Sequence, residues 1–382
     1  MCDLDGSDAG GQFVRSALAL AVLENEPIRI ENVRGDRSTP GLRHQHLAVL
    51  ETMAEICEAD VSGAELGAET IEFDPDLEVG GRNGAGVGAD RPRLPGGDYA
   101  VDIGTAGSVT LLFEALLPLA TILESPLSIV ATGGTDVAWS PPIDYLRHVK
   151  LPLVRRCGLV AACEVERRGF YPDGGGRAAL HLAPSNLRAI ELAERGPIEG
   201  VRCYSTESTS LADRDVARRQ LEGALERLSI ADREDEPAVA GADAIGNGDA
   251  RAIDDSIEVL DRRELTVSSP SPGSAIVLRI DHGTGVAGLS ALGERGTPAE
   301  RVGEDAADAA RDWLEGAAPV DRHLADQLLV LLAVAGGRIR VPTVTDHVAA
   351  GCNLLRSFGI EPTVTDDGET AIVSIGASTT LL

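Results

Sequence analysis

One order of helices and strands recurs three times along this chain of 382 residues. In the first copy, apolar residues at helical spacing predict helices over 12–23 and 42–59, on either side of a strand over 27–33. Two closing strands follow. The same periodicity predicts the helices of the second and third copies at 107–123, 143–157, 321–335 and 347–358. Such units cannot bury their apolar faces alone, so we expect three repeats packed around a common axis.

The spacing of the copies indicates an inserted domain. The second helix of each copy begins near 42, 143 and 347, so the second interval is about twice the first. We therefore predict an α/β (α+β) fold with three βαβαββ-type repeats and a small inserted α+β domain. The predicted domains are a body with repeats one and two at 1–184, the insertion at 185–274, and the third repeat at 275–382. Segments 79–98 and 231–255 lack periodicity and are predicted loops.

The charge of the chain is strongly acidic, with 61 acids against 34 bases and a net charge of −27. Only one of the bases, Lys150, is a lysine. Such a charge ordinarily argues against nucleic-acid binding, which needs Lys and Arg on one face. An excess of acidic side chains can also keep a protein hydrated in a salt-rich cytoplasm. At about 1 M salt the Debye length is about 3 Å, so a local arginine cluster still acts at contact distance. We favour this halophilic interpretation and do not exclude nucleic acid.

Cysteine usage and hydropathy indicate the compartment. The six cysteines include no CxxC pair, so neither a zinc knuckle nor a redox dithiol is indicated. No run of 18 uninterrupted apolar residues is present, so we expect no membrane span. The acidic first residues are unlike a signal peptide. We expect a cytoplasmic protein with no membrane partner.

Two segments of the first copy suggest phosphate binding. The text "LDGSDAGGQFVRSALAL" runs from a glycine-rich turn into a helix, where backbone N–H groups favour anions and Arg15 adds a charged donor. Five basic residues then fall within thirteen positions at a strand–loop–helix junction: Arg34, Arg37, Arg43, His44 and His46. Arginine suits bidentate phosphate contact. Salt bridges to the abundant acids are the alternative role for this cluster.

The end of the chain carries the residues with the most chemistry. "DRHLADQLLVLLAVAGG" is an apolar helix with His323, Asp326 and Gln327 near its start. These side chains can line a nucleotide site, or the acids can simply complement the helix dipole. His347 lies at a strand-to-helix junction, where imidazole can attack phosphorus or can serve as a cap. The residues by themselves indicate a phosphate-handling α/β protein.

Three further segments are rich in Gly, Pro, Ser or Thr. "DIGTAGSVTLLFEALLP" is similar to an anion nest that feeds a helix. "GGTDVAWSPPIDYL" and "GFYPDGGGRAAL" are interpreted mainly as turns, with Pro141 and Pro142 setting a helix start.

Taken together, these segments resemble the RNA 3′-terminal phosphate cyclase family. The similarity runs over nearly the whole chain and includes "RSTPGLRHQHL", "AEICEADVSGAELG", "DIGTAGSVTLL", "GFYPDGGG", "GLSALGERGTPAE" and "HLADQLLVLLA". The resemblance implies three repeats like the C-terminal domain of a bacterial translation initiation factor, plus an inserted small domain. That architecture agrees with the repeats and the doubled interval.

The resemblance also implies an ATP-dependent ligase with RNA 3′-phosphate ends as its partner. His347 would attack the α-phosphate of ATP to form histidyl-AMP, AMP would pass to the RNA 3′-phosphate, and the 2′-OH would displace AMP to leave a 2′,3′-cyclic phosphate. The implied ATP-binding residues are Glu114, His323, Leu324, Ala325, Asp326 and Gln327. The implied contacts to phosphate and the RNA end are Arg15, Arg34, Arg37, Gln45 and His46. A divalent metal, Mg²⁺ or Mn²⁺, would neutralise the triphosphate, and its ligands are not indicated.

Three positions depart from the family pattern. The glycine-rich opening is two residues shorter and lacks an acid. Glu114 stands where the family has a glutamine, and its carboxylate repels triphosphate oxygens unless a cation or proton intervenes. Ala350 and Gly351 replace Thr and Asn after His347. The alternative function is a catalytically weak cyclase-like binding protein in RNA processing, but non-catalytic relatives lack the nucleophilic histidine. The oligomeric state is not indicated.

Overall fold

Three four-stranded sheets share one strand order in the computed structural model, which describes residues 1–80, 91–104, 107–234 and 257–376. In each sheet the first two strands of a repeat pair in parallel, and the two closing strands pair antiparallel in the order 1-2-4-3. A parallel pair needs a crossover connection, which the first helix of the repeat supplies. The repeats therefore have the βαβαββ order, and the predicted α+β class is confirmed.

The first repeat places one helix deep in the molecule. Its elements are β1 (Cys2–Asp5), α1 (Gly11–Glu24), β2 (Ile28–Glu31), α2 (His44–Cys57), β3 (Asp60–Ser62) and β4 (Ile71–Asp74). Ala and Leu give α1 a high helix propensity. Every residue of α1 from 17 to 23 is at most 2% exposed, so this helix packs on all sides. It ends at Asn25, whose φ of 50° is left-handed.

The second repeat follows a short ribbon of β5 (Glu78–Gly80) and β6 (Arg91–Arg93). Its elements are β7 (Gly97–Asp102), α3 (Val109–Leu116), β8 (Leu127–Gly133), α4 (Ile143–Tyr145), α5 (Leu151–Arg156), β9 (Val160–Arg167) and β10 (Gly176–Ala183). The helix predicted over 107–123 is shorter, because Pro118 begins a 3₁₀ turn after α3. The helix predicted over 143–157 contains one π-helical turn at Leu146–Lys150.

A separate unit with its own sheet follows β11 (Ile190–Leu192). Its elements are β12 (Ile198–Ser208), α6 (Val216–Glu234), β13 (Val259–Val267), β14 (Ser274–His282), β15 (Gly285–Leu292) and α7 (Ala299–Glu315). The sheet has the order β13-β12-β14-β15, and α6 packs beside α7 over its own apolar core. Most of the loop predicted at 231–255 lies outside the described residues, as does the middle of the loop predicted at 79–98.

The third repeat is completed only after this unit. Its remaining elements are α8 (Arg322–Gln327), α9 (Leu329–Ala335), β16 (Gly337–Val341), α10 (Asp346–Ser357), β17 (Thr363–Asp366) and β18 (Ala371–Ile375). Strand β11 pairs in parallel with β16, so β11 is the first strand of the third sheet. The insertion thus lies inside the third repeat, between its first strand and its first helix, and not between repeats two and three.

The sheets divide the chain differently from the predicted insertion at 185–274. We propose a body of 1–192 and 321–376 with an inserted unit of 198–315. The difference arises because the sequence interval gives the size of an insertion but not its strand pairing. Strand β11 joins β16 across about 150 residues, while β14, β15 and α7 close the second core.

One apolar core joins the three repeats, while a second core belongs to the inserted unit. Among the described helices, none is both long and apolar enough to span a bilayer. The inserted unit is fastened to the body at His148, in the π turn between α4 and α5. Its ring stacks on Tyr204 of β12 with centroids 4.0 Å apart, and Arg279 of β14 donates to its carbonyl oxygen at 2.9 Å.

This fastening predicts a pH dependence of stability. Burial lowers the pKa of His148 to about 4, from 6.5 in the unfolded chain. As the pH falls from 6.5 towards 4, the unfolded chain binds a proton that the folded chain does not, so the free energy of unfolding falls. At about 1.4 kcal/mol per pKa unit, the difference between 6.5 and about 4 makes this loss at most about 3.5 kcal/mol.

The substitution His148→Phe keeps the flat ring on Tyr204 but cannot titrate. We expect it to reduce the stability difference between pH 7 and about pH 4.5, measured by urea unfolding at constant high salt. An equal loss of stability in the wild type and the variant would contradict this assignment.

Candidate active site

The N-terminal ends of α1, α2 and α10 line one cavity of about 1100 Å³. The first N–H groups of a helix lack partners within the helix, and the helix dipole is positive there, so these ends favour anions. Pockets for a single small ligand usually hold about 300–1000 Å³. This cavity is therefore large enough for a nucleotide together with the end of a second ligand.

Ten of the twelve predicted site residues line this cavity. They are Arg15, Arg34, Arg37, Gln45, His46, Glu114, His323, Asp326, Gln327 and His347. The other two, Leu324 and Ala325, are at most 1% exposed and pack in the core. Residues three and four apart share a face of a helix, so His323, Asp326 and Gln327 face the cavity while the two residues between them face inward. The side chains of Leu324 and Ala325 are therefore not cavity contacts.

Two glycines bring the start of α1 close to the functional side chains. A Cβ atom on Gly10 would lie 3.3 Å from both Arg37 Nη2 and His347 Cε1. A Cβ atom on Gly11 would collide with His46 Nε2. Only glycine fits at position 11 without moving the His46 ring, and a side chain at position 10 would crowd Arg37 and His347.

His46 is held as a neutral hydrogen-bond donor. It is 3% exposed, and burial together with Arg15, Arg34 and Arg43 lowers its pKa to about 3. Its Nδ1 accepts the backbone N–H of Arg43 at 3.2 Å. The ring proton of the neutral form therefore resides on Nε2, beside Gly11, where it can be donated to an anion.

One arginine of the cluster, Arg34, has a structural role, while Arg37 and Arg43 are exposed. Arg34 has a left-handed φ of 56° and donates through Nη1 to the carbonyl oxygens of Thr39 and Gly41, each at 3.0 Å. Burial and the nearby Arg43 and Arg37 lower its pKa. Neighbouring arginines repel one another, and an anion bound between them would offset that repulsion. Arg37 and Arg43 line the cavity, and Arg34 lines it while also fixing the loop.

Three residues that line the cavity carry buried oxygen atoms without hydrogen-bond partners. They are Glu114 Oε1, Asp326 Oδ1 and Gln327 Oε1. Leaving a buried acceptor unsatisfied costs about 1–3 kcal/mol, so such a set within one cavity indicates a ligand with several N–H or O–H donors. Phosphate oxygens would be repelled there.

A buried lysine forms an ion pair with the unusual carboxylate at position 114. The Lys150 Nζ lies 3.8 Å from Glu114 Oε1, and the two side chains are 2% and 7% exposed. Burial raises the pKa of Glu114, and Lys150 and Arg15 oppose that rise. Burial likewise lowers the pKa of Lys150, and Glu114 and Asp326 oppose that change. The protein itself thus supplies the cation that offsets the buried carboxylate at position 114.

Helix α8 is fixed by a buried cap. The Asp321 carboxylate accepts the N–H groups of His323 and Leu324 at 2.8 and 3.1 Å, the Tyr145 hydroxyl at 2.7 Å and the Gly288 N–H at 2.8 Å. Helix capping therefore explains Asp321. It does not explain Asp326 in the last turn of α8, where burial raises the pKa and His347 opposes that rise.

The position of His347 follows from the start of α10. Thr345 caps the helix by accepting the Val348 N–H at 3.2 Å, which leaves His347 exposed in the first turn. The close packing of α10 explains why small residues follow His347. A Cβ atom on Gly351 would lie 2.5 Å from Leu329 Cδ1, so α10 packs closely on α9 at this point. Ala350 and Gly351 line a small recess of about 20 Å³ beside His347.

The shortened opening loop is held by one carboxylate. Asp5 accepts the N–H and the hydroxyl of Ser7 at 3.0 and 2.6 Å and the Asn32 amide at 3.1 Å. These hydrogen bonds lower the pKa of Asp5. The loop therefore keeps a defined path into α1 despite its missing residues.

Sequence reasoning missed several residues that line the cavity, among them Lys150, Trp139, Tyr171 and Arg322. For Lys150 a signal existed, since it is the single lysine of the chain. Trp139 and Tyr171 were hidden in segments that were interpreted as turns.

The fold and the cavity define a class: an α/β repeat protein whose cavity brings together helix N-termini, arginines and buried acceptors that lack hydrogen-bond partners. The chain belongs to the RNA 3′-terminal phosphate cyclase family, whose family model matches residues 7–361. The predicted family is therefore confirmed.

Curated relatives support the same membership. The chain is 42% identical over 369 residues to an RNA 3′-terminal phosphate cyclase of Halobacterium salinarum, covering 96% of this chain and 97% of the relative. It is 38% identical over 364 residues to one of Thermococcus onnurineus, covering 94% and 93%. It is 36% identical over 357 residues to one of Ectopseudomonas mendocina, covering 93% and 92%. The relative from Halobacterium agrees with the halophilic interpretation of the charge.

The buried pair predicts a strong coupling between two substitutions. Lys150→Met leaves Glu114 buried without its cation, and Glu114→Gln leaves Lys150 without its anion. Breaking a buried pair in this way costs about 3–5 kcal/mol. The double variant removes both charges, so we expect it to be more stable than either single variant.

Urea unfolding of the wild type, both single variants and the double variant measures this coupling. Strictly additive single effects would mean that Lys150 and Glu114 do not stabilise each other.

Proposed function

We propose that this protein converts an RNA 3′-phosphate to a 2′,3′-cyclic phosphate with ATP, and that His347 is its nucleophile. The activity follows from membership of the family. The observation that carries the residue assignment is the place of His347, whose ring lies across Gly10 from Arg37 and close enough to Asp326 to oppose the rise of its pKa.

In the first step, an imidazole nitrogen of His347 attacks the α-phosphorus of ATP. The N–P bond forms, the bond from that phosphorus to the bridging oxygen breaks, and pyrophosphate leaves. Arg43 and the Nε2–H of His46 stabilise the negative charge on the phosphates of ATP. The unpartnered oxygens of Glu114, Asp326 and Gln327 accept hydrogen bonds from the nucleoside.

In the second and third steps, the RNA end enters the same cavity. An oxygen of the 3′-phosphate attacks the α-phosphorus of histidyl-AMP, and the N–P bond breaks to free His347. The 2′-hydroxyl oxygen then attacks the 3′-phosphorus, AMP leaves with the bond electrons, and the hydroxyl proton passes to solvent. The arginines hold the RNA phosphate in line for both attacks.

The divalent metal is proposed as part of the substrate. Within the described ranges, no group of three or more His, Cys, Asp or Glu side chains could hold a metal ion. Of the two acids on the cavity wall, Glu114 already has Lys150 beside it. These residues do not fit a metal cage built by the protein, and Mg²⁺ is commonly carried by substrate phosphates. No step above is derived through the metal.

We also propose a cytoplasmic setting. The six cysteines are free thiols, which suits a reducing compartment.

A covalent test addresses the nucleophile. Incubation with α-labelled ATP and Mg²⁺ in high salt should leave acid-labile label on the wild type and none on His347→Asn. Asparagine keeps a polar side chain at the start of α10 but cannot form the N–P bond. Label on the variant would remove His347 from this role. An unlabelled wild type that still binds RNA 3′-phosphate would favour the cyclase-like binding protein.

The arginine cluster is tested by separating the two substrates. Changing Arg34 and Arg37 together to Ala should raise the KM for RNA 3′-phosphate by roughly 10-fold or more, since a charged hydrogen bond contributes about 1.5–3 kcal/mol. Self-adenylation should fall less. Arg37→Ala alone separates phosphate contact from the loop bonds of Arg34.

The matched control is Arg338→Ala, which removes an exposed arginine paired with Glu191 away from the cavity. Equal losses in both steps would contradict the assignment of these arginines to RNA.

A further inference from the structure

Two exposed aromatic side chains stand at the mouth of the cavity. Trp139 is 92% exposed and Tyr171 is 57% exposed, and both line the cavity. Their ring centroids are 6.5 Å apart in an edge-to-face arrangement. Aromatic residues make up only 3% of the chain, and the other tryptophan, Trp313, is buried with its indole N–H bonded to the Val320 carbonyl. An exposed pair at this place therefore needs a functional explanation.

The two loops that carry these rings are locked together beneath them. Arg168 is 3% exposed and donates to both carboxylate oxygens of Asp136 at 3.0 and 3.1 Å and to Asp144 at 2.5 Å. The Thr135 N–H donates to the Gly169 carbonyl at 2.8 Å, and the Gly169 N–H donates to the Thr135 hydroxyl at 2.9 Å. The rings thus project from a rigid base, which reduces the entropy that a ligand must remove on binding.

The backbone at Trp139 has a conformation that a bulky residue disfavours. Its φ of 64° lies in the left-handed region, which costs a bulky residue about 1–2 kcal/mol. Because the indole is exposed, it also lacks the stabilisation that burial of its apolar surface would give. Strained residues of this kind cluster at ligand-binding positions, so the observed conformation points to a ligand that covers the indole.

The charges beside the rings identify that ligand. Arg34, Arg37 and Arg43 line the same cavity, so a chain whose terminal phosphate reaches them has its preceding nucleotides at the mouth. Unpaired bases stack on aromatic faces with little sequence preference, for about 1–3 kcal/mol per base. Stacking is also insensitive to salt. This protein has a net charge of −27 and depends on salt to screen its repulsion of RNA. Stacking therefore supplies affinity that phosphate contacts lose as the salt concentration rises.

We propose that Trp139 and Tyr171 form a stacking platform for the bases that precede the 3′-phosphate of single-stranded RNA. This inference rests on the proposed function. It assigns a role to the two segments "GGTDVAWSPPIDYL" and "GFYPDGGGRAAL", which the sequence had indicated only as turns.

The test is a binding measurement that needs no turnover. A 3′-phosphorylated oligoribonucleotide should bind Trp139→Ala with a Kd raised roughly 10-fold relative to the wild type, and Tyr171→Ala should also weaken binding. Trp139→Phe should restore most of the affinity because it keeps an aromatic face. The loss should persist from about 0.5 to 3 M salt. Val160→Ala is the control, since Val160 is 54% exposed and does not line the cavity.

A second oligonucleotide locates the contact. When the nucleotides before the terminal phosphate are abasic, the wild type and Trp139→Ala should bind it equally. Quenching of tryptophan fluorescence by the normal oligonucleotide should be seen in the wild type and be largely lost in Trp139→Phe. Both results would place a base on the Trp139 ring.

Three outcomes would overturn the platform. Equal affinities of the wild type and Trp139→Ala for the normal oligonucleotide would refute it while leaving the cyclase function intact. A loss of self-labelling by α-labelled ATP as large as the loss of RNA binding would assign the rings to adenine instead. A wild type that binds no 3′-phosphorylated RNA would overturn the proposed function and this inference with it.

Discussion

The packing of α1 inside the shared apolar core positions the whole site. This helix contacts α2, α3, α9 and α10, so elements from all three repeats are held against one another around it. Its N-terminus carries Gly10 and Gly11, which lie against Arg37, His46 and His347 from two different repeats. Apolar burial along the helix is therefore what brings polar residues together at its end. The distances between His347, Arg37 and His46 therefore depend on the packing of this core.

Electrostatic division of the cavity explains how one space serves two substrates. Helix N-termini, arginines and a neutral His46 make one side attractive to anions. The buried oxygens of Glu114, Asp326 and Gln327 lack hydrogen-bond partners, and we propose that the nucleoside supplies their donors. The ammonium of Lys150 offsets the charge of Glu114 within the cavity wall.

A strongly acidic protein that acts on RNA must limit its dependence on long-range charge. With salt shortening the Debye length to a few ångströms, its arginines act only at contact and its net charge no longer repels the substrate. Rigid aromatic rings at the mouth complement this arrangement, since their attraction for bases is not screened. The Arg168 network with Asp136 and Asp144 is buried and so is screened much less than a surface ion pair.

The sequence by itself determined the repeats, the α+β class, the family and most of the polar residues around the cavity, because periodicity and local motifs are written in neighbouring residues. It placed His347 at a helix start, and it placed His323, Asp326 and Gln327 on one helix. Tertiary structure alone decided that β11 pairs with β16 across the insertion, that Leu324 and Ala325 face the core, and that Lys150 lies beside Glu114. Strand pairing and side-chain direction depend on contacts between residues far apart in the chain, and local periodicity carries no record of those contacts.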